Sequence, residues 1–304
     1  MATYVLGTRG SSLAQCQAQI VQARLEERWP VHRFELHAIK AAADRSPEVP
    51  LVALSGEGIF VKELEQALAA GRIHAAVHSL KDLPLDTPEG IRIAAVLARE
   101  EPRDALVSRS GSGLDALPRG ATIGTSSLRR ASQLLHRRPD LQVLEIRGNV
   151  DTRLRKLGEG RYDAIVVAAA GLIRLGLEER ITDLLDLDVM VPEPGQGAIA
   201  VEARAADHDV QNLLAPLEDP VSRACTDAER AFLRALGGGC RVPIAAYAEA
   251  SGGTIELRGV VASPDGRQRL TGHVSGAITE PVSLGERLAQ QLVTQGAAAL
   301  LAAR

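Results

Sequence analysis

Along the chain, apolar positions switch repeatedly between a period of two and a period near 3.6. Tyr4 to Gly7 reads as a short strand, and from Ser12 onward Leu13, Cys16, Ile20 and Leu25 fall near one face of a helix. Phe34 to Ile39 alternates as a strand, Val61 to Ala70 has helical spacing and closes at Gly71, and Ile73 to His78 returns to strand. Further strand and helix units follow at Thr122 to Arg138, Leu141 to Leu157 and Ala164 to Leu175. Strands alternating with helices of this length predict an α/β fold whose sheets are mostly parallel or mixed and covered by helices on both faces. After residue 217 the rhythm changes to one long helix, Val221 to Leu236, then strands at Ala245 to Ala250, Ile255 to Val261 and Gln268 to Val274, and a final helix from Leu284. The turn residues Ser251-Gly252-Gly253 and Pro264-Asp265-Gly266 between those strands predict antiparallel hairpins in a separate small α+β domain.

A chain of 304 residues with 45% hydrophobic content can bury two or three cores. Aromatic residues make up only 2%, so those cores are built from Leu, Ile, Val and Ala, and base stacking has few platforms. The formal net charge of −3 offers no general basic field, which counts against nucleic acid and anionic membranes as partners. The start, MATYVLGTRGSS, lacks a basic segment followed by an apolar one, and no stretch reaches the roughly 18 to 20 apolar residues a bilayer span needs, so the expected location is the cytoplasm. Cys16, Cys225 and Cys240 are odd in number and far apart, which suits neither a disulfide framework nor a zinc site.

Candidate chemistry gathers at the carboxyl ends of the early strands. In GTSSLRRASQLLHRR, 124 to 138, Thr125, Ser126 and Ser127 lie between a strand and a helix whose first turn carries Arg129 and Arg130. Helix-start N–H groups, hydroxyls and guanidiniums together suit carboxylates; an N-capped helix with solvated arginines is the alternative. RGNVDTRLRKL, 147 to 157, repeats the arrangement with Arg147, Asn149 and Arg153, and the first strand ends in Thr8, Arg9 and Ser11. Such sites at strand ends of two α/β domains imply a multiply anionic ligand in an interdomain cleft.

A second strand end, VHSLKDLP at 77 to 84, carries Lys81 beside Asp82, a carboxylate able to stabilise a cation and move protons. Asp82 also reads as an ordinary turn former. In LGGGCRVPI, 236 to 244, three glycines precede Cys240, which a loop could present as a nucleophile; Cys16 and Cys225 read as small helix-packing residues. His74 and His78 have no clustered carboxylate in sequence and read as packed or hydrogen-bonded histidines, so no metal is expected. Neither GxGxxG nor a P-loop is present.

Taken in order, GTRxS at 7 to 11, FVKELE at 60 to 65, AVHSLKDLP at 76 to 84, REEPRDALVS at 99 to 108, GTSSLRR, RGNVDTRL, GQGAIAVE at 195 to 202 and GGGCRVPI at 237 to 244 resemble the porphobilinogen deaminases from residue 4 to the last helix. The resemblance implies two domains like those of bilobed periplasmic binding proteins, with mixed sheets, and a small C-terminal α+β domain. The expected boundaries are 1–97 with 198–217, 103–191, and 218–304. It implies a transferase that condenses four porphobilinogen molecules head to tail onto a covalent dipyrromethane primer, releasing ammonia at each step and finally hydroxymethylbilane by hydrolysis.

By that resemblance Cys240 is the thioether anchor of the dipyrromethane and Asp82 the catalytic carboxylate. Lys81, Thr125, Ser126, Ser127, Arg129, Arg130, Arg147 and Arg153 would bind the cofactor. Arg9, Ser11, Arg147 and Arg153, with Arg99, Arg174 and Phe60, would bind substrate. Three positions depart from the family pattern: Ser12 replaces a common Pro, Ala43-Asp44 a common Gly-Asp, and Glu57 a common Lys. Glu57 reverses a charge, so the cationic role of that loop does not carry over. A non-catalytic two-lobed binder of an anionic metabolite is the rival reading, and Cys240 separates the two. Nothing resembles a coiled-coil seam, so a monomer is the default expectation.

Overall fold

The computed structural model describes residues 1–39, 61–238 and 243–302. In chain order the elements are β1 (Thr3–Arg9), α1 (Ser12–Arg28), β2 (Arg33–Ile39), α2 (Lys62–Ala69), β3 (Ala75–Ser79), β4 (Ile91–Val96), β5 (Asp104–Ser108), β6 (Thr122–Gly124), α3 (Leu128–Arg137), β7 (Gln142–Leu144), α4 (Val150–Gly158), β8 (Ala164–Ala168), α5 (Ala169–Arg174), β9 (Asp183–Leu184), β10 (Ile199–Arg204), α6 (His208–Leu214), α7 (Pro220–Ala235), β11 (Ile244–Ser251), β12 (Thr254–Ala262), β13 (Arg269–Ala277), α8 (Pro281–Thr294) and α9 (Ala297–Ala302). They form two compact units, Met1–Arg99 with Ala198–Arg223, and Glu100–Gly197 with Ala224–Arg304.

The sheet of the first unit has the order β2-β1-β3-β10-β4. Its first three strands are parallel, and β10 runs antiparallel to both β3 and β4. Alternation divides its side chains between two cores. Leu6, Val77, Ile199, Val201 and Ala203 pack with Ala18, Val21 and Leu25 of α1 and with Val210 and Leu214 of α6. On the other face Leu64, Ala67 and Leu68 of α2 cover Ala76 and Ile73. The buried stripe of α1 is rotated from the one expected: Gln17, Ala18, Val21 and Leu25 face inward, whereas Leu13 and Cys16 are half-exposed. Gln17 can be buried because its amide exchanges hydrogen bonds with the Ser79 hydroxyl at 2.9 and 3.1 Å.

In the second unit the larger sheet has the order β7-β6-β8-β5-β9, again with three parallel strands followed by one antiparallel to both its neighbours. Leu106, Ile123, Leu134 and Val166 fill the core on one face, and Val107, Ile146, Leu157 and Ile165 on the other. Each large sheet thus receives its antiparallel strand, β5 or β10, from the segment that follows a crossing of the chain between units.

The C-terminal sheet, β11-β12-β13, is antiparallel throughout, and Phe232, Leu284, Leu288 and Leu292 pack on it. Gly252 and Gly253, with φ of 57° and 81°, make the two-residue hairpin between the paired Ser251 and Thr254. Gly266, at φ 72°, brings the second hairpin against α3, where a Cβ would stand 2.5 Å from the Ser132 carbonyl oxygen. Among the described residues no helix is long and apolar enough to cross a membrane.

Candidate functional site

The first strand end is built by capping. Ser11 precedes α1 in extended conformation, and its hydroxyl oxygen accepts from the Ala14 N–H at 3.3 Å; the buried Thr8 hydroxyl donates to the Ala14 carbonyl at 2.9 Å. These bonds fix the helix start beside Arg9, which is half-buried at the end of β1. β3 ends in a single 3₁₀ turn, Leu80–Asp82, in which Leu80 is buried, Lys81 half-buried and Asp82 exposed. The Leu80 N–H donates to Ala198 at 3.0 Å, and Leu83 closes the turn by donating to Leu80 at 3.1 Å. The backbone N–H of Arg99 donates to Ser222 Oγ at 2.9 Å.

The second unit carries the hydroxyl-rich loop. Ser127 caps α3 by accepting from the Arg130 N–H, Thr125 Oγ1 accepts from the Ser127 N–H at 3.2 Å, and Ser126 Oγ donates to the Ile146 carbonyl at 2.6 Å. The next strand end holds Arg147 and Arg153, both half-buried: Arg147 Nε meets Glu145 at 2.5 Å, and Arg153 Nε donates to the Gly148 carbonyl at 2.8 Å. Lys156 adds a third cation by donating to the Arg147 carbonyl at 2.9 Å. Arg174, at the end of α5, donates to the Gly197 carbonyl at 2.6 Å.

Arg129 and Arg130 are not solvated. Both are buried and converge on Asp104, itself 0% exposed: Arg129 reaches Oδ2 at 2.7 Å and Arg130 reaches Oδ1 at 2.8 Å. Arg129 also donates to the Val191 carbonyl at 2.8 Å, Arg130 to the Val166 carbonyl at 3.2 Å, and the Gln196 amide to Asp104 at 3.1 Å. Burial pulls the Arg129 guanidinium down, and the charge and hydrogen bonds of Asp104 outweigh it, so the group stays above its ordinary value. Asp104 is the residue the sequence reading missed, although it stands within REEPRDALVS; a carboxylate opening an apolar strand was its only signal.

Cys240, Phe60, Glu57 and Ala43-Asp44 lie outside the described residues. His74 and His78 behave as packed histidines: His74 Nδ1 accepts from the Val5 N–H at 2.9 Å, and His78 pairs with Glu202 at 3.1 Å.

Cations and hydroxyls stand at successive strand ends within each of the two α/β units, donors of the kind that suits carboxylates. Residues 4–212 match the family model for the porphobilinogen deaminase, dipyrromethane cofactor binding domain, and 223–294 the model for the porphobilinogen deaminase, C-terminal domain. Porphobilinogen deaminase of Roseiflexus castenholzii is 51% identical, covering 98% of each chain. That of Syntrophobacter fumaroxidans is 46% identical over 97% of this chain and 96% of its own. Among solved structures, the methionine-binding protein MetQ is 14% identical with a TM-score of 0.45, covering 71% of this chain and 89% of its own. The chain belongs to the porphobilinogen deaminase family.

Proposed function

We propose that this chain condenses four porphobilinogen molecules head to tail, releasing ammonia at each step and hydroxymethylbilane at the end by hydrolysis. The reading is carried by the ordered family match over 4–212 and 223–294 together with the cations at the strand ends. Porphobilinogen bears acetate and propionate groups, and these carboxylates are what Arg9, Arg147, Arg153, Arg99 and Arg174 hold, with Ser11 and Phe60 completing the substrate site. The donor set of the second unit fits the dipyrromethane: Thr125, Ser126, Ser127, Arg147 and Arg153 supply hydrogen bonds, and Arg129 and Arg130, fixed by Asp104, supply positive potential, while Lys81 keeps the cofactor-binding role that the family resemblance implies.

Cys240 would hold the dipyrromethane, which would supply the free pyrrole α-carbon for the first substrate, each later substrate adding to the pyrrole before it. Asp82 accepts hydrogen bonds from pyrrole N–H groups and stabilises the positive charge left on substrate as ammonia departs. An exposed carboxylate on a short, backbone-fixed turn is in place before that charge develops, so it lowers the barrier more than it tightens substrate binding. With these roles goes the domain division that the family resemblance implies, 1–97 with 198–217, 103–191 and 218–304. The protein acts as a cytoplasmic monomer.

Intact mass tests the reading. The expected result is an added mass of two pyrrole units on the purified chain, absent in Cys240→Ser. A wild-type chain without the adduct, even after incubation with porphobilinogen, would instead fit a non-catalytic binder of an anionic metabolite.

A further inference from the structure

The roles above leave unused a group of buried ionisable side chains in the first unit. On the sheet face that α2 covers, β3 presents Ala76 and His78, and β10 presents Ala200, Glu202 and Arg204. The antiparallel register sets Ala200 opposite His78 and Glu202 opposite Ala76. His78 Nε2 lies 3.1 Å from Glu202 Oε2, with side chains 2% and 0% exposed. Glu65 on α2 belongs to the same group: burial first, then the negative charge of Glu202, holds its carboxyl above the ordinary range, against an opposing pull from His78. The other ionisable residues on elements packed here are Lys62 and Glu63 on α2, Arg9 on β1, Arg92 on β4 and Arg204 on β10, with His74 just ahead of β3.

This group sits at the root of the turn that carries Asp82. From His78 the strand runs through Ser79 into Leu80–Asp82, and Leu80 and Leu83 share one small core with Val61 and Ala200. Ser79 is held from the opposite face of the sheet by Gln17. The backbone leading to Asp82 is therefore gripped on one face by Gln17 through Ser79 and on the other by Glu202 through His78.

We propose that Glu202, acting through His78, is a positioning residue that fixes where the Lys81–Asp82 turn delivers its carboxylate. The inference rests on Asp82 being the catalytic carboxylate. Without the pair, β3 loses one of its two grips and Asp82 samples a wider range of positions, while the arginines that bind substrate carboxylates are untouched. Misplacement on this scale lowers kcat by about 10 to 100-fold and leaves KM within about threefold.

The test compares holoenzyme of Glu202→Gln, His78→Gln and Asp82→Asn for turnover of porphobilinogen across roughly pH 6 to 9, with thermal midpoints from the fluorescence of Trp29. The expected result is a fall in kcat at nearly constant KM in both the Glu202 and His78 variants. Folded variants that keep the wild-type kcat and pH profile, and lose only thermal midpoint, overturn the proposal. If neither single variant is soluble, the doubly neutral H78Q/E202Q, which strands no buried charge, takes their place under the same criterion. Near-normal turnover in Asp82→Asn would instead sink the catalytic reading itself, and this inference with it.

Discussion

Asp104→Asn removes the carboxylate on which Arg129 and Arg130 converge. The substitution keeps the size of the side chain but turns one of its two acceptors into a donor, facing guanidiniums that lie at 2.7 and 2.8 Å in wild type. Both arginines are buried, so neither can recover the lost interaction from water. Breaking a buried pair from one side costs about 3 to 5 kcal/mol, because the surviving charge is left uncompensated. For a body of the size of the second unit each kcal/mol lowers the melting temperature by roughly 2 to 4 °C, giving a fall of about 6 to 20 °C. Circular dichroism at 222 nm measures it, and intact mass of the same sample reports the fraction carrying the two-pyrrole adduct, which is expected to drop as the positive potential is disordered. A melting temperature within about 2 °C of wild type would refute the argument, since it would mean that the pair contributes little beyond an apolar contact.

Three other expectations follow from named geometry. Asp82→Asn keeps the thermal midpoint of wild type, because Asp82 is exposed, and loses turnover by about a hundredfold or more, read in single-turnover ammonia release. Gly266→Ala forces a Cβ to within 2.5 Å of the Ser132 carbonyl at a positive φ, so it destabilises by about 1 to 3 kcal/mol, read by urea titration. His74 must stay neutral to accept from Val5; burial, then Arg204, holds its imidazole below the ordinary 6.5, against Asp207. The unfolded chain then takes up that proton at higher pH than the folded chain does. Stability is full above pH 6.5 and declines below it, and His74→Asn is expected to flatten the acid side of a Trp29 fluorescence melting series.

What the sequence made legible was whatever rests on local physics. The helices read as starting at Ser12 and after the serines of 124–138 do start there, because a hydroxyl one residue before a helix has an orphan N–H to accept from; Ser127 does so for the second, and Ser11, which the pattern had not marked as a cap, does so for the first. Gly252-Gly253 marks a hairpin because both residues adopt positive φ. The alternating residues of Phe34 to Ile39 lie within β2. Asp104, Gln17 and Glu202 were illegible for one shared reason. Each is a polar residue in a buried position whose compensating partner arrives from a distant segment: Arg129 and Arg130, Ser79, and His78. Periodicity reads such residues as facing solvent, since nothing local announces the partner.

The strand orders carry a consequence for biosynthesis. In the first sheet β10 lies between β3 and β4, so among the described residues β4 has no sheet neighbour, and β3 keeps an open edge, until residue 204 has left the ribosome. The second large sheet needs only residues 104 to 184, one uninterrupted stretch. The sheet whose first strand is made first is therefore finished second, and the nascent chain must carry an unclosed edge through the synthesis of an entire intervening sheet, the interval in which a chaperone has most to shield.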